Sequence, residues 1–313
     1  MASHQPVLVK EALEGLAVVS DGCYVDGTYG RGGHSAEILE RLGEQGRLLA
    51  LDKDPEAAAH GRARFADDPR VTVLHAGFES LRDRVEPWLQ GRPLAGVLLD
   101  LGVSSPQLEA PERGFSFAKD GPLDMRMNTA EGRPVSAWLA GVGQAELAQV
   151  LAAYGEEPRA RQLAAAIVKA RTRKPIATTR ELAEIIERHS PQRPQRLHPA
   201  TRVFQALRIQ INAELASLER ALAQSLELLG PGGRLCVISF HSLEDRLVKR
   251  FINRESRGDP VYAGLPSAPS AALPRLEKIG GLIRPSAAEL TANPRARSAR
   301  LRVAEKLDAV PSC

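Results

Sequence analysis

Apolar positions in the first hundred residues follow two periods in turn. Short apolar runs alternate with segments whose apolar residues recur at helical spacing. This alternation predicts an α/β domain with a parallel sheet and right-handed crossovers. The predicted strands are 23–25, 47–51, 71–74 and 95–100, and the predicted helices lie within 4–20, 34–42 and 55–63.

The alternation of strands and helices stops after the fourth strand. The segment from Pro106 to Arg133 is rich in Gly, Pro and charged residues and has no clear period. Helical spacing then returns in four segments, the last of which predicts one long helix. These segments are 144–154, 159–173, 179–188 and 201–229. The pattern predicts a mainly helical domain, residues 109–205, inserted into an α/β domain formed by residues 1–108 and 206–313.

The last part of the chain returns to the sheet. Gly230-Pro-Gly-Gly233 predicts a turn into a fifth strand, 234–239. Residues 254–296 contain much Pro, Gly, Ser and Ala and few large apolar side chains, so we expect a long and partly mobile excursion there. Apolar and polar residues alternate from Ser298 to Lys306, which is typical of a late strand.

A glycine-rich turn follows the first strand, in the sequence Asp26-Gly-Thr-Tyr-Gly-Arg-Gly-Gly-His34. A strand, a glycine turn and a helix N-terminus let the backbone of an α/β sheet approach a nucleotide-like ligand, because a Cβ at the turn would collide with it. The alternative is a turn of this kind that binds no ligand. Asp52 ends the second strand, where such folds place an acid on ribose hydroxyls. Asp26, Asp52, Phe78 and Asp100 each end or follow a strand and should converge.

The residues of the turn narrow the class of ligand. Its glycines are out of register with Gly-x-Gly-x-x-Gly, and no Gly-Lys-Ser/Thr occurs there, so a phosphate-binding loop is not expected. The charge of Asp26 would repel a pyrophosphate but could accept hydrogen bonds from an ammonium group. These features favour S-adenosyl-L-methionine, which has a ribose and an amino-acid end but no phosphate.

Composition excludes several classes of protein. No apolar run approaches the ~20 residues of a membrane span, and the N-terminus lacks the pattern of a signal peptide. The three cysteines are too far apart in sequence for a disulfide framework or a zinc cage. We therefore expect a cytoplasmic protein with no membrane segment and no metal site.

Charge is unevenly distributed along the chain. The net charge is only +4, yet the segment from Gly155 to Arg208 holds 12 Lys and Arg against 5 Asp and Glu. A basic sector on a nearly neutral protein is the pattern expected for a polyanionic partner. The alternative is a set of ordinary solvated helix faces.

The loop after the fourth strand, Asp100-Leu-Gly-Val-Ser-Ser-Pro-Gln107, carries the candidate chemistry. Methyltransferases that act on amino groups place a polar, proline-containing loop here. The exocyclic amine of cytosine or adenine is a poor nucleophile, and acceptors such as Asp100, Ser104 and Ser105 would draw its nitrogen towards a nucleophilic form. Placement and exclusion of water would lower the barrier further. The alternative is a turn in which the two serines only cap a helix.

Several long strings are far more specific than the glycine turn. They include Leu98-Leu-Asp-Leu-Gly-Val-Ser-Ser-Pro-Gln-Leu108 and Ser239-Phe-His-Ser-Leu-Glu-Asp-Arg246, and the others are 26–34, 113–117, 120–127, 154–157, 198–209 and 293–298. With them the chain resembles a class I S-adenosylmethionine-dependent methyltransferase with a Rossmann-like sheet. More narrowly, it resembles the bacterial 16S ribosomal RNA (cytosine-N4) methyltransferases, the ribosomal small subunit methyltransferase H family.

The resemblance implies roles for individual residues. It places Gly32, Gly33 and His34 at the methionine end of the cofactor, Asp52 at the ribose and Phe78 beside the adenine. It also places Asp100 and Gln107 around the loop under the sulfonium. It further implies that the inserted domain receives RNA, and that the substrate is a cytidine in the decoding region of 16S rRNA in the small ribosomal subunit.

The catalytic loop departs from the pattern of many amino methyltransferases, because no aromatic residue follows its proline. Phe115, Phe117, Tyr154 or Phe240 would then have to stack the base. His241 either faces the cleft or begins a helix. Four arginines of the inserted half are candidates for phosphate contacts, namely Arg113, Arg126, Arg202 and Arg208.

Three other functions remain open at this stage. A nicotinamide-dependent oxidoreductase shares the order of strand, glycine turn, helix and acid. A non-catalytic RNA-binding ribosome assembly factor would have the same basic sector but no need for Asp52. Methylation of DNA cytosine is compatible with the composition. The oligomeric state is not predicted.

Overall fold

The computed structural model describes residues 6–190, 198–262, 269 and 272–308. The chain divides into two compact units, Met1–Gly102 with Leu215–Cys313, and Val103–Glu214. The boundaries lie at 102/103 and 214/215, whereas the sequence placed them at 108/109 and 205/206. The assignment of one unit to the cofactor and the other to RNA stays a prediction.

The first unit contains a seven-stranded sheet. Its strands are β1 (Cys23–Asp26), β2 (Arg47–Asp52), β3 (Val71–His75), β4 (Leu94–Asp100), β5 (Leu229–Ser239), β6 (Leu276–Ile283) and β7 (Arg300–Lys306). They lie in the order β3-β2-β1-β4-β5-β7-β6. Strands β1 to β5 are parallel, and β7 is antiparallel to both β5 and β6. The expected parallel sheet is therefore confirmed for its first five strands, and the late strand is confirmed as β7.

Helices cover both faces of this sheet. They are α1 (Val9–Leu16), α2 (Gly33–Leu39), α3 (Pro55–Arg64), α4 (Leu81–Leu89), α11 (Glu214–Leu228, of which Glu214 belongs to the second unit), α12 (Ser242–Glu255) and α13 (Ala287–Ala292). Alternate residues of a strand point to opposite faces. Accordingly Cys23 and Val25 enter one apolar cluster and Tyr24 the other. Burial on both faces explains the continuous apolar runs that identified the strands.

The second unit is mainly helical. Its helices are α5 (Ser105–Glu109), α6 (Val135–Gly141), α7 (Gln144–Gly155), α8 (Ala160–Arg171), α9 (Thr179–Arg188) and α10 (Ala200–Asn212). One apolar core, which includes Leu123, Leu151, Ile167 and Leu207, holds them together. Helices α7, α8 and α9 lie close to their predicted bounds, whereas α5 and α6 were not predicted.

The prediction of a single helix over 201–229 is wrong. The segment forms α10 and α11, which are separated by Ala213 with a left-handed φ of 51°. Apolar side chains of α10, such as Phe204, enter the core of the second unit. Those of α11, such as Leu222, enter the core of the first unit. The helix therefore breaks where the chain passes from one core to the other.

Two predictions about the last part of the chain need correction. The predicted turn Gly230–Gly233 lies within β5, where the pairing with β4 shifts register. The predicted excursion over 254–296 contains β6 and α13, and its residues 263–268, 270 and 271 lie outside the described residues. Within the described part of the chain, no helix combines the length and apolar character that crossing a membrane requires.

Candidate active site

The candidate site lies at the carboxyl ends of the parallel strands. Strand β1 lies between β2 and β4, and the chain order reverses between β1 and β4. In open α/β sheets this reversal creates the crevice in which ligands bind. Asp26, Asp52 and Asp100 are the last residues of β1, β2 and β4, so the expected convergence of these three acids is confirmed.

The glycine turn after β1 is fixed to both neighbouring strands. The N–H of Gly27 donates to the carbonyl of Leu98 at 2.9 Å, and the N–H of Tyr29 donates to the carbonyl of Leu51 at 2.9 Å. Gly32 has a φ of 70°, and a Cβ there would lie 2.5 Å from the Tyr29 ring. Gly33 begins α2 directly afterwards. A side chain at position 32 is therefore excluded by both conformation and space.

Asp26 organises this turn from inside. It is 1% exposed, and its oxygens accept hydrogen bonds from the Thr28 N–H at 3.0 Å and the Ser35 hydroxyl at 2.7 Å. Burial raises the pKa of Asp26, and the nearby His34 opposes this increase. The structure thus gives Asp26 an internal role instead of the expected contact with a ligand ammonium group.

Asp52 joins the end of β2 to the same turn. Its Oδ2 accepts a hydrogen bond from the Gly30 N–H at 2.7 Å, and its Oδ1 accepts one from the Asp54 N–H at 2.8 Å. Burial raises the pKa of Asp52 to about 6, although these two hydrogen bonds favour the ionised form. Contact of Asp52 with a ribose stays a prediction.

Asp100 has the least satisfied carboxylate of the site. Its Oδ1 is buried and accepts no hydrogen bond from any residue that the structure describes. Its Oδ2 lies 3.6 Å from His34 Nδ1, and its backbone N–H donates to Thr28 Oγ1 at 2.6 Å. Burial raises the pKa of Asp100 to about 6, while His34 opposes the shift. A buried acceptor without a donor is unusual and needs an explanation, such as a donor on a bound ligand.

His34 is held against the start of the chain. Its Nε2 lies 2.9 Å from the carbonyl oxygen of Val7. A carbonyl only accepts hydrogen bonds, so Nε2 carries a proton and Nδ1 is the atom that faces Asp100. His34 is 5% exposed. His34 is therefore a buried, fixed side chain whose Nδ1 lies beside Asp100 at the edge of the site.

Phe78 begins a short 3-10 turn, Phe78–Ser80, shortly after β3. A Cβ added at Gly27 would lie 2.6 Å from Leu99 Cδ2 and 3.3 Å from the Cβ of Phe78, so Gly27 lets both residues pack against the turn. The ring is partly exposed. The structure therefore brings Phe78 to the glycine turn, and its contact with adenine stays a prediction.

The other predicted site residues belong to the second unit. Ser104 is the N-cap of α5, and Gln107 Oε1 accepts a hydrogen bond from the Ser104 N–H at 2.9 Å. Ser105 and Gln107 are both buried. The helix-capping alternative is therefore correct for Ser104 but not for Ser105, which is the first residue of the helix. The catalytic role of the two serines and the cofactor contact of Gln107 remain predictions.

Sequence reasoning missed the polar residues that support the site. Thr28 accepts from the Asp100 backbone and Ser35 donates to Asp26. The sequence Asp-Gly-Thr at a strand end could have predicted the contact of the Thr28 N–H with Asp26. It favours an Asx turn, in which the carboxylate accepts a hydrogen bond from the backbone N–H two residues later. The contact from Ser35 crosses from α2 to β1 and had no such local pattern.

Three of the four arginines predicted to contact phosphate are engaged within the second unit. Arg113 is 6% exposed and donates to backbone carbonyls, while Arg126 and Arg208 form ion pairs. These pairs, each with an N–O distance of 2.8 Å, are Arg126–Asp124 and Arg208–Glu214. The prediction is therefore wrong for these three arginines as the structure stands, and it remains for the exposed Arg202.

Two further candidates have structural roles. His241 is the N-cap of α12 and its Nδ1 accepts from the Glu244 N–H, which confirms the alternative that it begins a helix. Phe115 lies in the core of the second unit, so its proposed stacking on a base is wrong. Phe117 already stacks on His198 with ring centroids 4.4 Å apart. Tyr154 and Phe240 remain candidates.

Comparison with known proteins identifies the family. The model of the MraW methylase family matches residues 1–307. Three curated proteins named ribosomal RNA small subunit methyltransferase H match over nearly their full lengths. That of Thioalkalivibrio sulfidiphilus is 55% identical over 97% of this chain and 98% of its own. That of Coxiella burnetii is 53% identical over 98% and 100%, and that of Stenotrophomonas maltophilia is 52% identical over 98% and 94%.

The family and the site agree on the chemistry. The sheet order, the glycine turn at its reversal point and the unpaired Asp100 oxygen fit a cationic nucleoside cofactor. The family match favours a methylase over the oxidoreductase and the non-catalytic assembly factor. The chain therefore belongs to the MraW methylase family and is an S-adenosyl-L-methionine-dependent methyltransferase.

Proposed function

We propose that the chain methylates the exocyclic N4 of a cytidine in the decoding region of 16S rRNA, in the small ribosomal subunit. Support for an rRNA substrate comes from the relatives, which are named ribosomal RNA small subunit methyltransferase H and are more than half identical to this chain. Support for cytosine N4 comes from the resemblance of its motifs to the cytosine-N4 methyltransferases.

The observation that carries the proposal is the unpaired Oδ1 of Asp100 at the reversal point of the sheet. The bound cofactor supplies a methyl group activated by a cationic sulfonium. Asp100 stabilises positive charge next to it, Asp52 binds the ribose hydroxyls, and Gly32 and Gly33 let the backbone approach the amino-acid end. The fold already holds each of these groups in place, so they need not reorganise when the reaction takes place.

The amine needs placement and hydrogen-bond acceptors more than it needs a strong base. The cofactor would supply the methyl group and leave as a neutral thioether, and the proton that the nitrogen loses on forming the N–C bond would pass to water. We assign Asp100, Ser104 and Ser105 to the acceptance of hydrogen bonds from the amine. The cytidine has to leave its stack to reach them, at a cost of about a few kcal/mol.

The second unit supplies exposed positive charge for RNA. Arg161, Lys169 and Arg173 of α8 and its C-terminal end are exposed, and Arg202 on α10 is exposed as well. Such side chains bind phosphates and fix the register of an RNA without reading its bases. We propose these exposed side chains as phosphate contacts in place of Arg113, Arg126 and Arg208, which bind partners within the second unit.

Nucleoside mass spectrometry tests the reaction. Ribosomal RNA from a strain that lacks this gene should lose N4-methylcytidine at one position, and the purified protein with S-adenosylmethionine should restore it. If the nucleoside is unchanged in the deletion strain, the assignment to N4 of an rRNA cytidine is wrong.

The variant Asp52→Ala separates cofactor binding from RNA binding. We expect at least a tenfold loss of affinity for S-adenosylmethionine, measured by isothermal titration, because the ribose loses its acceptor. RNA affinity measured by filter binding should stay within about twofold of the wild-type value. Equal losses of both affinities would contradict a design with separate sites for cofactor and RNA.

A further inference from the structure

The exposed face of α12 is strongly cationic. Arg246, Lys249 and Arg250 are exposed along this helix, and Arg257 is exposed just after it. Residues 246, 250, 253 and 257 are four, three and four positions apart, the spacing that places side chains on one side of a helix. Position 253 is the uncharged Asn253. This surface belongs to the first unit and lies outside the basic sector found by counting charges.

The acids of the same helix do not neutralise this face. Glu244, Asp245 and Glu255 are 2%, 7% and 9% exposed. Asp245 is bound by arginines of β7, with N–O distances of 2.8 and 2.7 Å, and Glu255 is bound by Arg254 and by Arg275. All three carboxylates are therefore directed into the unit, and the outer surface of α12 keeps its positive charge.

The apolar face of α12 is already used. Val248, Phe251 and Ile252 are buried in the core of the first unit. A helix that binds a membrane surface needs an apolar face to insert between lipids, and α12 has none left. A polyanion in water is the partner that a purely polar, cationic face fits.

The helix starts beside the candidate active site. It begins three residues after the end of β5, and Ile238 of β5 pairs with Asp100 of β4. Glu244 lies in the first turn of α12, and its charge contributes to the raised pKa of Asp100. With 14 residues at 1.5 Å each, α12 is about 21 Å long. The cationic face of α12 therefore starts near the reaction site and extends away from it over a distance that several nucleotides of an RNA strand would span.

We propose that Lys249, Arg250 and Arg257 bind the phosphate backbone of the RNA substrate, so that the RNA contacts the first unit along α12. This inference rests on the proposed function, because that function supplies the polyanion. Among the described residues, none of these three side chains has an ion-pair partner. They can therefore meet phosphates without breaking an internal contact.

The test is the double charge reversal Lys249→Glu with Arg250→Glu. Each phosphate contact on a single strand contributes about 0.7 to the slope of log affinity against log salt. Loss of two contacts should lower that slope by about 1.4 and weaken binding of a 16S rRNA fragment about tenfold or more at 0.15 M salt. Affinity for S-adenosylmethionine should stay unchanged, because the substituted residues point to solvent.

The matched control is Arg62→Glu with Arg84→Glu. It changes the net charge by the same amount as the α12 reversal, at exposed positions of α3 and α4 in the same unit. We expect this control to change RNA affinity less than threefold. The conservative exchange Lys249→Arg with Arg250→Lys should retain wild-type affinity and slope. If the α12 reversal behaves like the control, the inference is overturned.

Two further results distinguish this inference from the proposed function. A wild-type protein that binds the RNA fragment but does not methylate it would contradict the proposed function, and the salt slopes would still decide the role of α12. Binding of the wild type to vesicles of anionic phospholipid, lost in the α12 reversal while RNA affinity stays intact, would overturn the inference in favour of a membrane surface. If the reversal lowers the melting temperature, Lys249→Ala with Arg250→Ala provides the same comparison.

Discussion

Two groups of carboxylates in the first unit differ in their surroundings. The edge acids, Asp26, Asp52 and Asp100, end neighbouring strands and have no lysine or arginine partner among the described residues. The paired acids, Asp245 and Glu255, are also buried, but each binds two arginines. Burial raises the pKa of every edge acid. Burial acts on the paired acids too, but hydrogen bonds from arginine outweigh it and lower their pKa values.

The difference separates acids that arginine pairs stabilise from acids without such a pair, and our proposal assigns two of the latter, Asp52 and Asp100, to the cofactor. Arginine is abundant in this chain, and β7 alone supplies two guanidinium groups to Asp245. Asp26 and Asp52 receive backbone N–H groups and a hydroxyl instead, and Asp100 has only His34 within ion-pair distance in the part of the chain that the structure describes, so their buried charges are compensated less fully. Perturbed carboxylates in a crevice are typical of functional sites. A cation that binds there would lower the free energy of the ionised acids.

The largest expected effect is that of Asp100→Asn. Methyl transfer should fall about a hundredfold in kcat/KM, because one electrostatic contact to the reacting group is typically worth that much. The pKa of Asp100 is raised to about 6, so its ionised form costs stability above that pH and the neutral amide removes the cost. The cofactor-free variant should therefore be more stable at pH 8, by about 1–3 kcal/mol.

Urea unfolding at pH 8 and a methyl-transfer assay measure the two effects on the same preparation. Asp83→Asn, an exposed acid on α4, serves as the control and should change neither quantity. A variant that loses stability and keeps its activity would place Asp100 among the paired acids.

The second effect is that of Asp245→Asn, which should lower the free energy of unfolding by about 2 kcal/mol. The substitution leaves Arg300 and Arg302 without their carboxylate. Both side chains are partly exposed, Arg302 by 18%, so the cost is smaller than that of breaking a fully buried ion pair. The lowered pKa of Asp245 means that its contribution is present above the ordinary carboxyl range and is lost as the pH falls through the folded-state pKa.

Urea titrations at pH 7 and at pH 3 measure this effect. The variant should be less stable than the wild type at pH 7 and closer to it at pH 3, while its affinity for S-adenosylmethionine at pH 7 stays unchanged. A large loss of cofactor affinity in the folded variant would remove the distinction between the two groups of acids.

The smallest effect is a pH dependence of cofactor affinity. Asp52 and Asp100 have pKa values of about 6, so both become neutral as the pH falls below that value and attract a cation less. Affinity for S-adenosylmethionine, measured by isothermal titration, should fall about tenfold from pH 7 to pH 5. S-adenosylhomocysteine has no sulfonium charge and should show a smaller decrease. Identical pH profiles for the two ligands would contradict a role of the edge acids in binding the sulfonium.

The ends of β1, β2 and β4 could be predicted because these strands are buried on both faces and each ends at an aspartate. Strands of this type appear as apolar runs closed by an acid, as in the runs that end at Asp52 and Asp100. The break at Ala213 could not be predicted, because apolar residues continue at helical spacing on both sides of it and neither Gly nor Pro marks it. What separates α10 from α11 is the change of core.

Strand β6 and the arginine partners were missed for related reasons. The strand lies at the edge of the sheet, contains Gly280 and Gly281 and is largely exposed, so it has little apolar periodicity. The sequence shows how many arginines a segment holds, but the carboxylate that each one meets depends on tertiary packing. Arg126 and Asp124 are two residues apart, yet nothing in their spacing distinguishes an internal ion pair from a free cation.

The position of β7 has a consequence for biosynthesis. This strand is the last of the seven described strands in chain order, yet it lies between β5 and β6 in the sheet, with Leu301 and Ala304 fully buried. During translation, the edge of β5 that pairs with β7 stays unpaired until residues 300–306 have left the exit tunnel. β5 and β6 therefore join in one sheet only after β7 has been synthesised, and a polypeptide truncated before β7 would have an exposed strand edge prone to aggregation.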